Sequence, residues 1–169
     1  MGDMVNPIGR RRLVLPLLLA AVLAALPGRS AATAEISAFA TGGKPGDTWN
    51  TGFGGMLTIT LFSFVNGEIE GCWQGSSLPD TNIGTLSGKA YLGPPIGRFV
   101  PYAGLGIGGY RESLPTQTDQ GTIGLVFVGA KLKFPFGLVI RGEYQWTTLP
   151  KTILVPLDAR YFVALGISF

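Results

Sequence analysis

From residue 35 to the C-terminus, apolar side chains recur at every second position, and no window of ten or more residues carries them at helical spacing free of glycine and proline. A period of two belongs to strands, whose successive side chains point to opposite faces of a sheet. In the terminal ARYFVALGISF, Tyr161, Val163, Leu165, Ile167 and Phe169 form one face, and Phe162, Ala164, Gly166 and Ser168 the other. In FGLVIRGEYQW, Leu138, Ile140, Tyr144 and Trp146 share a face, opposite Arg141, Glu143 and Gln145. GLVFVGAKLKF sets Val126, Val128, Ala130 and Leu132 against Phe127, Gly129, Lys131 and Lys133, and IGTLSGKAYL sets Leu86, Ala90 and Leu92 against Thr85, Ser87, Lys89 and Tyr91.

One face of each strand is apolar and the other carries ions. Charges cannot sit in lipid, but they can line the inside of a barrel whose greasy face points outward. The opposite arrangement, a soluble ligand-binding barrel of lipocalin type, would put the apolar faces inside and is the competing architecture.

The N-terminus decides where such a chain goes. Arg10, Arg11 and Arg12 precede the apolar run Leu13 to Gly28, and the small residues SAATA follow. This is the layout of a secretory signal, with cleavage expected after Ala34. An apolar run of 16 residues containing Pro16 is short for a retained helical span, which needs about 20. The expected organisation is a signal peptide over 1–34 and one β-barrel domain over 35–169. The signal also explains the net charge of +3: it holds four of the 13 basic side chains and one of the 10 acidic ones, so residues 35–169 carry nine of each. A neutral folded part gives no reason to expect a nucleic-acid partner.

Eight strands are expected, over 35–43, 51–65, 68–75, 83–92, 98–111, 121–133, 136–147 and 159–169. The connections alternate. Asn66-Gly67 reads as a tight hairpin turn, and PPIGR and Phe134-Pro135 as short turns. KPGDTWN, SSLPDTN, ESLPTQTDQ and TLPKTILVPLDA are longer and polar. Outer-membrane barrels have short periplasmic turns and longer outer loops, which puts both chain ends in the periplasm. On that topology Tyr91, Phe99, Tyr102, Phe134, Phe136 and Phe169 fall near the periplasmic rim and Trp73, Tyr110, Trp146 and Tyr161 near the outer rim, as two aromatic girdles. Residues 51–65 break the alternation at Phe62 and Phe64, which calls for a bulge.

PYAGLGIGGYRE contains a G-x-G-x-x-G spacing in Gly104, Gly106 and Gly109. A dinucleotide loop would need a helix opening at the glycines within a βαβ unit. YRESLPTQTDQG follows instead, with a proline and no apolar helical face. The glycines Gly104, Gly106 and Gly108 are expected inside the barrel, where they leave room for larger neighbours.

The chain has no histidine, so a Ser-His-acid triad, a histidine base and histidine metal ligands are excluded, and neither cofactor nor metal is expected. Cys72 is the single cysteine, read as a buried or lipid-facing small side chain. Glu68 and Glu70 are two apart, as a carboxylate pair would be, but Glu68 borders the expected hairpin and reads as solvated. Glu70, Lys89, Lys131, Arg141 and Glu143 are expected to pair inside the barrel, because unpaired charges there would be costly. No enzymatic activity is expected.

Taken in order, FVPYAGLGIGGYR, GLVFVGAKLKFPFGLVIRGEYQW and the terminal YFVALGISF resemble the fifth strand, the sixth and seventh strands, and the last strand of the small eight-stranded outer-membrane β-barrel family, the opacity and porin-like proteins of Gram-negative bacteria. The resemblance implies an all-β, antiparallel, up-and-down transmembrane barrel preceded by a cleavable signal helix. It further implies outer-membrane lipids and the outer-membrane assembly machinery as partners, with Tyr161, Val163, Leu165, Ile167 and Phe169 as the insertion signal. The expected function is a structural, surface-interaction or adhesion role, with any extracellular ligand met through the loops; the alternative is a narrow channel for small solutes or ions.

Overall fold

The computed structural model describes residues 33–43, 50–75, 82–113, 118–148 and 159–169. Eight strands run in sequence: β1 (Ala34–Gly43), β2 (Asn50–Phe62), β3 (Val65–Gly75), β4 (Asn82–Leu92), β5 (Phe99–Ser113), β6 (Thr118–Lys133), β7 (Leu138–Thr148) and β8 (Ala159–Ser168). Each pairs antiparallel with its neighbours and β8 returns to β1, closing the barrel. Ala34 and Phe169 exchange both backbone hydrogen bonds at the seam, at 3.0 and 2.9 Å. Closure leaves no sheet edge, the condition under which strands can meet hydrocarbon.

The alternation sorts the two faces as the sequence predicts. Ile69, Leu86, Leu105, Ile107, Val163, Leu165 and Ile167 stand exposed on the outside, while the intervening positions face inward. Gly104, Gly106 and Gly108 do line the inside. At Gly104 a Cβ would lie 2.5 Å from the Tyr91 Cβ and 2.7 Å from the Phe127 ring, so these glycines admit the aromatic filling of the lumen.

Several expectations are corrected. The hairpin between β2 and β3 turns at Ser63 and Phe64, not at Asn66-Gly67, and β3 begins at Val65. The register explains the choice: Thr58 sits opposite Glu68 and Thr60 opposite Asn66 on the inside, with Leu57 opposite Ile69 outside. A tight turn at 66–67 would pair Val65 with Glu68 and set Leu57 and Ile59 inward, inverting β2, and face matching prevails over turn propensity. The irregularity anticipated in the second strand falls between Thr60 and Phe62. Strands β5 and β6 extend to Ser113 and Thr118, so most of the expected loop ESLPTQTDQ is strand and only 114–117 connects them. Tyr91, Tyr102 and Tyr110 leave the girdles: all three are buried inside, since each shares parity with inward positions of its strand. Phe99, Phe134, Phe136 and Phe169 at one rim, and Trp73, Trp146 and Tyr161 toward the other, remain outside.

The turn from Pro135 to Gly137 holds Phe136 at φ 66°, with its side chain fully exposed. A non-glycine residue in this region costs roughly 1–2 kcal/mol. Residues 1–32 of the expected signal segment, its hydrophobic run included, lie outside the described residues. The expected cleavage point follows Ala34, the first residue of β1 and already paired with Phe169.

Candidate functional site

The charged side chains converge in the middle of the lumen. Arg141 of β7 and Lys89 of β4 project inward from strands three apart around the barrel, and their side chains are completely buried. Arg141 forms ion pairs with Glu68 and Glu143, and its Nε donates to the Tyr102 hydroxyl oxygen at 2.5 Å. The Tyr102 hydroxyl in turn donates to Glu143 Oε2 at 2.9 Å. Thr58 donates to Glu68 at 2.8 Å, so that carboxylate is held from β2 as well. Lys89 lies 2.8 Å from Glu143, 3.3 Å from Glu68 and also pairs with Glu70.

A second layer lies beside it. Arg160 of β8 bonds Glu70 at 2.9 Å and the Gln145 amide oxygen at 2.5 Å. The Gln145 amide nitrogen reaches back to Glu143 at 3.0 Å and Glu70 at 3.2 Å, tying the two layers together. Nearer the short-turn rim, Lys131 pairs with Glu35 at 2.8 Å, and Ser37 donates to Glu35 at 3.1 Å. Aromatic rings wall the ions in: the Lys89 ammonium stands 4.7 Å from the Phe127 centroid and 4.9 Å from that of Phe162, and the Arg141 guanidinium 4.7 Å from Tyr102. Cations over ring faces recover part of the hydration they lose on burial.

The five charges singled out from sequence, Glu70, Lys89, Lys131, Arg141 and Glu143, are therefore all inside, though Lys131 joins Glu35 rather than the central cluster. Glu68 is corrected: it is not solvated at a turn but buried as a principal partner of Arg141, a consequence of the shifted hairpin. Glu35 and Arg160 also belong to the lattice, and both were marked by parity, Glu35 alternating with Ile36 and Arg160 with Tyr161. Tyr102 carried the same signal, sharing parity with Gly104, Gly106 and Gly108, but its place near a strand end also fits a rim. Cys72 packs inside with Phe39, Met56, Phe162 and Ala164.

The lattice is closed by mutual ion pairs, with Arg160 Nη1 the one buried nitrogen of its cations left without a hydrogen-bond partner among the described residues. The carboxylates of Glu35, Glu68, Glu70 and Glu143 each contact a buried cation, whereas Glu112, also buried, forms no ion pair among the described residues, where no group of three or more His, Cys, Asp or Glu side chains could hold a metal ion. Tyr161, Val163, Leu165, Ile167 and Phe169 all project outward along β8 and past its end, 56–69% exposed.

A closed eight-stranded barrel with ions inside and an apolar exterior is the architecture of the small outer-membrane barrels. Solved structures with this fold include the N-terminal β-barrel domain of OprF from Pseudomonas aeruginosa, 17% identical, with a TM-score of 0.59 over 81% of this chain and 97% of that one. Neisserial surface protein A is 11% identical, with a TM-score of 0.60 over 82% and 96%. Ail, the attachment invasion locus protein of Yersinia pestis, solved with the heparin analogue sucrose octasulfate, is 16% identical with a TM-score of 0.53 over 82% and 99%. No protein-family model and no curated protein matches the chain.

Proposed function

We propose that the chain is an integral outer-membrane β-barrel with a structural, surface-interaction or adhesion role, its lumen closed by side chains and its specificity carried by the loops. The single observation that carries this reading is the inversion of the barrel: complementary ions buried in the lumen and large apolar side chains exposed around the outside. A soluble barrel would not leave Leu105, Ile107, Val163 and Ile167 about two-thirds or more than half exposed in water. The shared fold with OprF, neisserial surface protein A and an attachment invasion protein supports the same general kind of role.

Catalysis has no place in this reading. Glu68 and Glu70, the nearest thing to a carboxylate pair, are both committed to buried cations. The ion pairs that cross the lumen likewise support a plugged barrel over a narrow channel, since an eight-stranded barrel is only wide enough for its own side chains. The outward face of β8 supports an insertion signal read by the assembly machinery. Carbonate extraction of membranes, with boiled and unboiled samples compared on a gel, tests the assignment. Pelleting with the membrane and a heat-dependent change of migration are expected; release into the soluble fraction, or equal migration, would overturn it.

A further inference from the structure

The barrel exterior is not uniform. Across β2 to β5 it is indented by a groove of about 870 Å³. Its floor is a row of paired outward positions: Gly55 opposite Gly71, Gly71 opposite Leu86, and Leu86 opposite Gly109. One pleat nearer the long-loop end runs a second row, Phe53 opposite Trp73, Trp73 opposite Gly84, and Gly84 opposite Arg111. Phe53 and Trp73 stand up as walls and Leu86 rises from the floor row between Gly71 and Gly109, each of the three more than half exposed.

The floor glycines differ from those inside. At Gly71 an added Cβ meets nothing within 4 Å, and at Gly55 and Gly109 only a carbonyl oxygen, at 3.7 and 3.6 Å. Packing does not require glycine there, and glycine weakens a strand interior. Glycine at these floor positions leaves the groove open, where a larger side chain would fill it.

Arg111 gives the groove a polar end. It projects outward two residues beyond Gly109 on the same face, is exposed, and has no ion-pair partner among the described residues. We propose that the groove seats an acyl chain of an anionic membrane lipid, whose phosphate is held by Arg111 at the long-loop rim. This rests on the membrane reading above. A second copy of the chain docking through the same patch would bring two like charges together near a two-fold axis, whereas a phosphate is complementary.

The test reads Trp73, the groove wall, by fluorescence in the full-length barrel with Trp49→Phe and Trp146→Phe. The protein is inserted in phosphatidylcholine vesicles containing an equal fraction of dibrominated phosphatidylglycerol or dibrominated phosphatidylcholine, whose bromines quench tryptophan on contact. A preference of roughly five-fold for the anionic lipid is expected, the scale of one basic side chain at an anionic surface. Arg111→Gln should bring the two lipids level, and Gly71→Leu should weaken quenching by both. A Trp146-only barrel, with Trp49→Phe and Trp73→Phe, should show no preference. Equal quenching of Trp73 by the two lipids, or a preference surviving in Arg111→Gln, overturns the proposal. So does a Trp73 shielded from both lipids in a protein that cross-links to a second copy. Heat-dependent migration is scored on every sample: its loss in the parent protein overturns the membrane reading itself, while its retention with level quenching overturns the lipid site alone.

Discussion

Arg141 shows how much one residue can carry in a barrel this narrow. It reaches Glu68 on β3, Glu143 on its own strand and Tyr102 on β5, so its removal leaves two buried carboxylates short of a cation. Breaking a buried pair from one side costs about 3–5 kcal/mol, because the orphaned charge stays in a low-dielectric interior. Arg141→Ala should lower stability by that order, read as the urea midpoint of the barrel in lipid vesicles. Adding Glu68→Gln should restore part of the loss, since the double variant buries one charge fewer; strictly additive losses would show that the two residues are not coupled. Glycines give a second contrast at this scale. Gly104→Val pushes a side chain into Tyr91 and Phe127, whereas Gly88→Val on the outer face meets nothing within 4 Å. The first should lose the heat-shifted band and the second should keep it. The reverse result would mean the faces are assigned the wrong way round.

At the scale of elements, the strands were legible because period two survives any ignorance of loops or partners. RGEYQ of β7 fixes its own inward face, and the parity of β8 is set by Leu165 and Ile167 alternating with Ala164, Gly166 and Ser168. The turn was not legible, because local and nonlocal forces disagree there. Asn66-Gly67 has the chemistry of a two-residue hairpin, but the pairing of Thr58 with Glu68 and of Leu57 with Ile69 is a property of two strands together. The same blindness hid Glu68, whose burial follows from the turn; the inward tyrosines were legible by parity, and only the partners of their hydroxyls, which come from other strands, were not. A direct check is Gly67→Val. Gly67 faces outward in β3, with open space at its Cβ and Ile59 opposite, so valine should be tolerated and should strengthen the strand slightly. A type I′ turn at 66–67 would need a positive φ that valine resists, and loss of folded barrel on the same gel would return the turn to that position.

For the molecule as a whole, the balance of charge links the fold to permeability. Glu35, Glu68, Glu70 and Glu143 meet Lys89, Lys131, Arg141 and Arg160, four of each sign, so the ion pairs across the middle and the short-turn end of the lumen balance without any ion from solution, while Glu112, buried on β5 toward the long-loop end, stands outside them. An ion entering would have to displace side chains from partners within hydrogen-bond distance, and those side chains have nowhere to go, because Phe127, Phe162 and Tyr102 pack around them. The barrel in a planar bilayer should therefore be electrically silent at voltages it survives. Lys89→Ala combined with Arg141→Ala removes the two cations that hold the central carboxylates and leaves Glu68, Glu70 and Glu143 facing a widened, negatively charged passage. That variant, if its heat-dependent migration shows a closed barrel, should give brief cation-selective openings. Reproducible steps from the wild-type protein, with a selectivity that changes in Arg141→Ala alone, would instead make the lattice a filter and the protein a narrow channel.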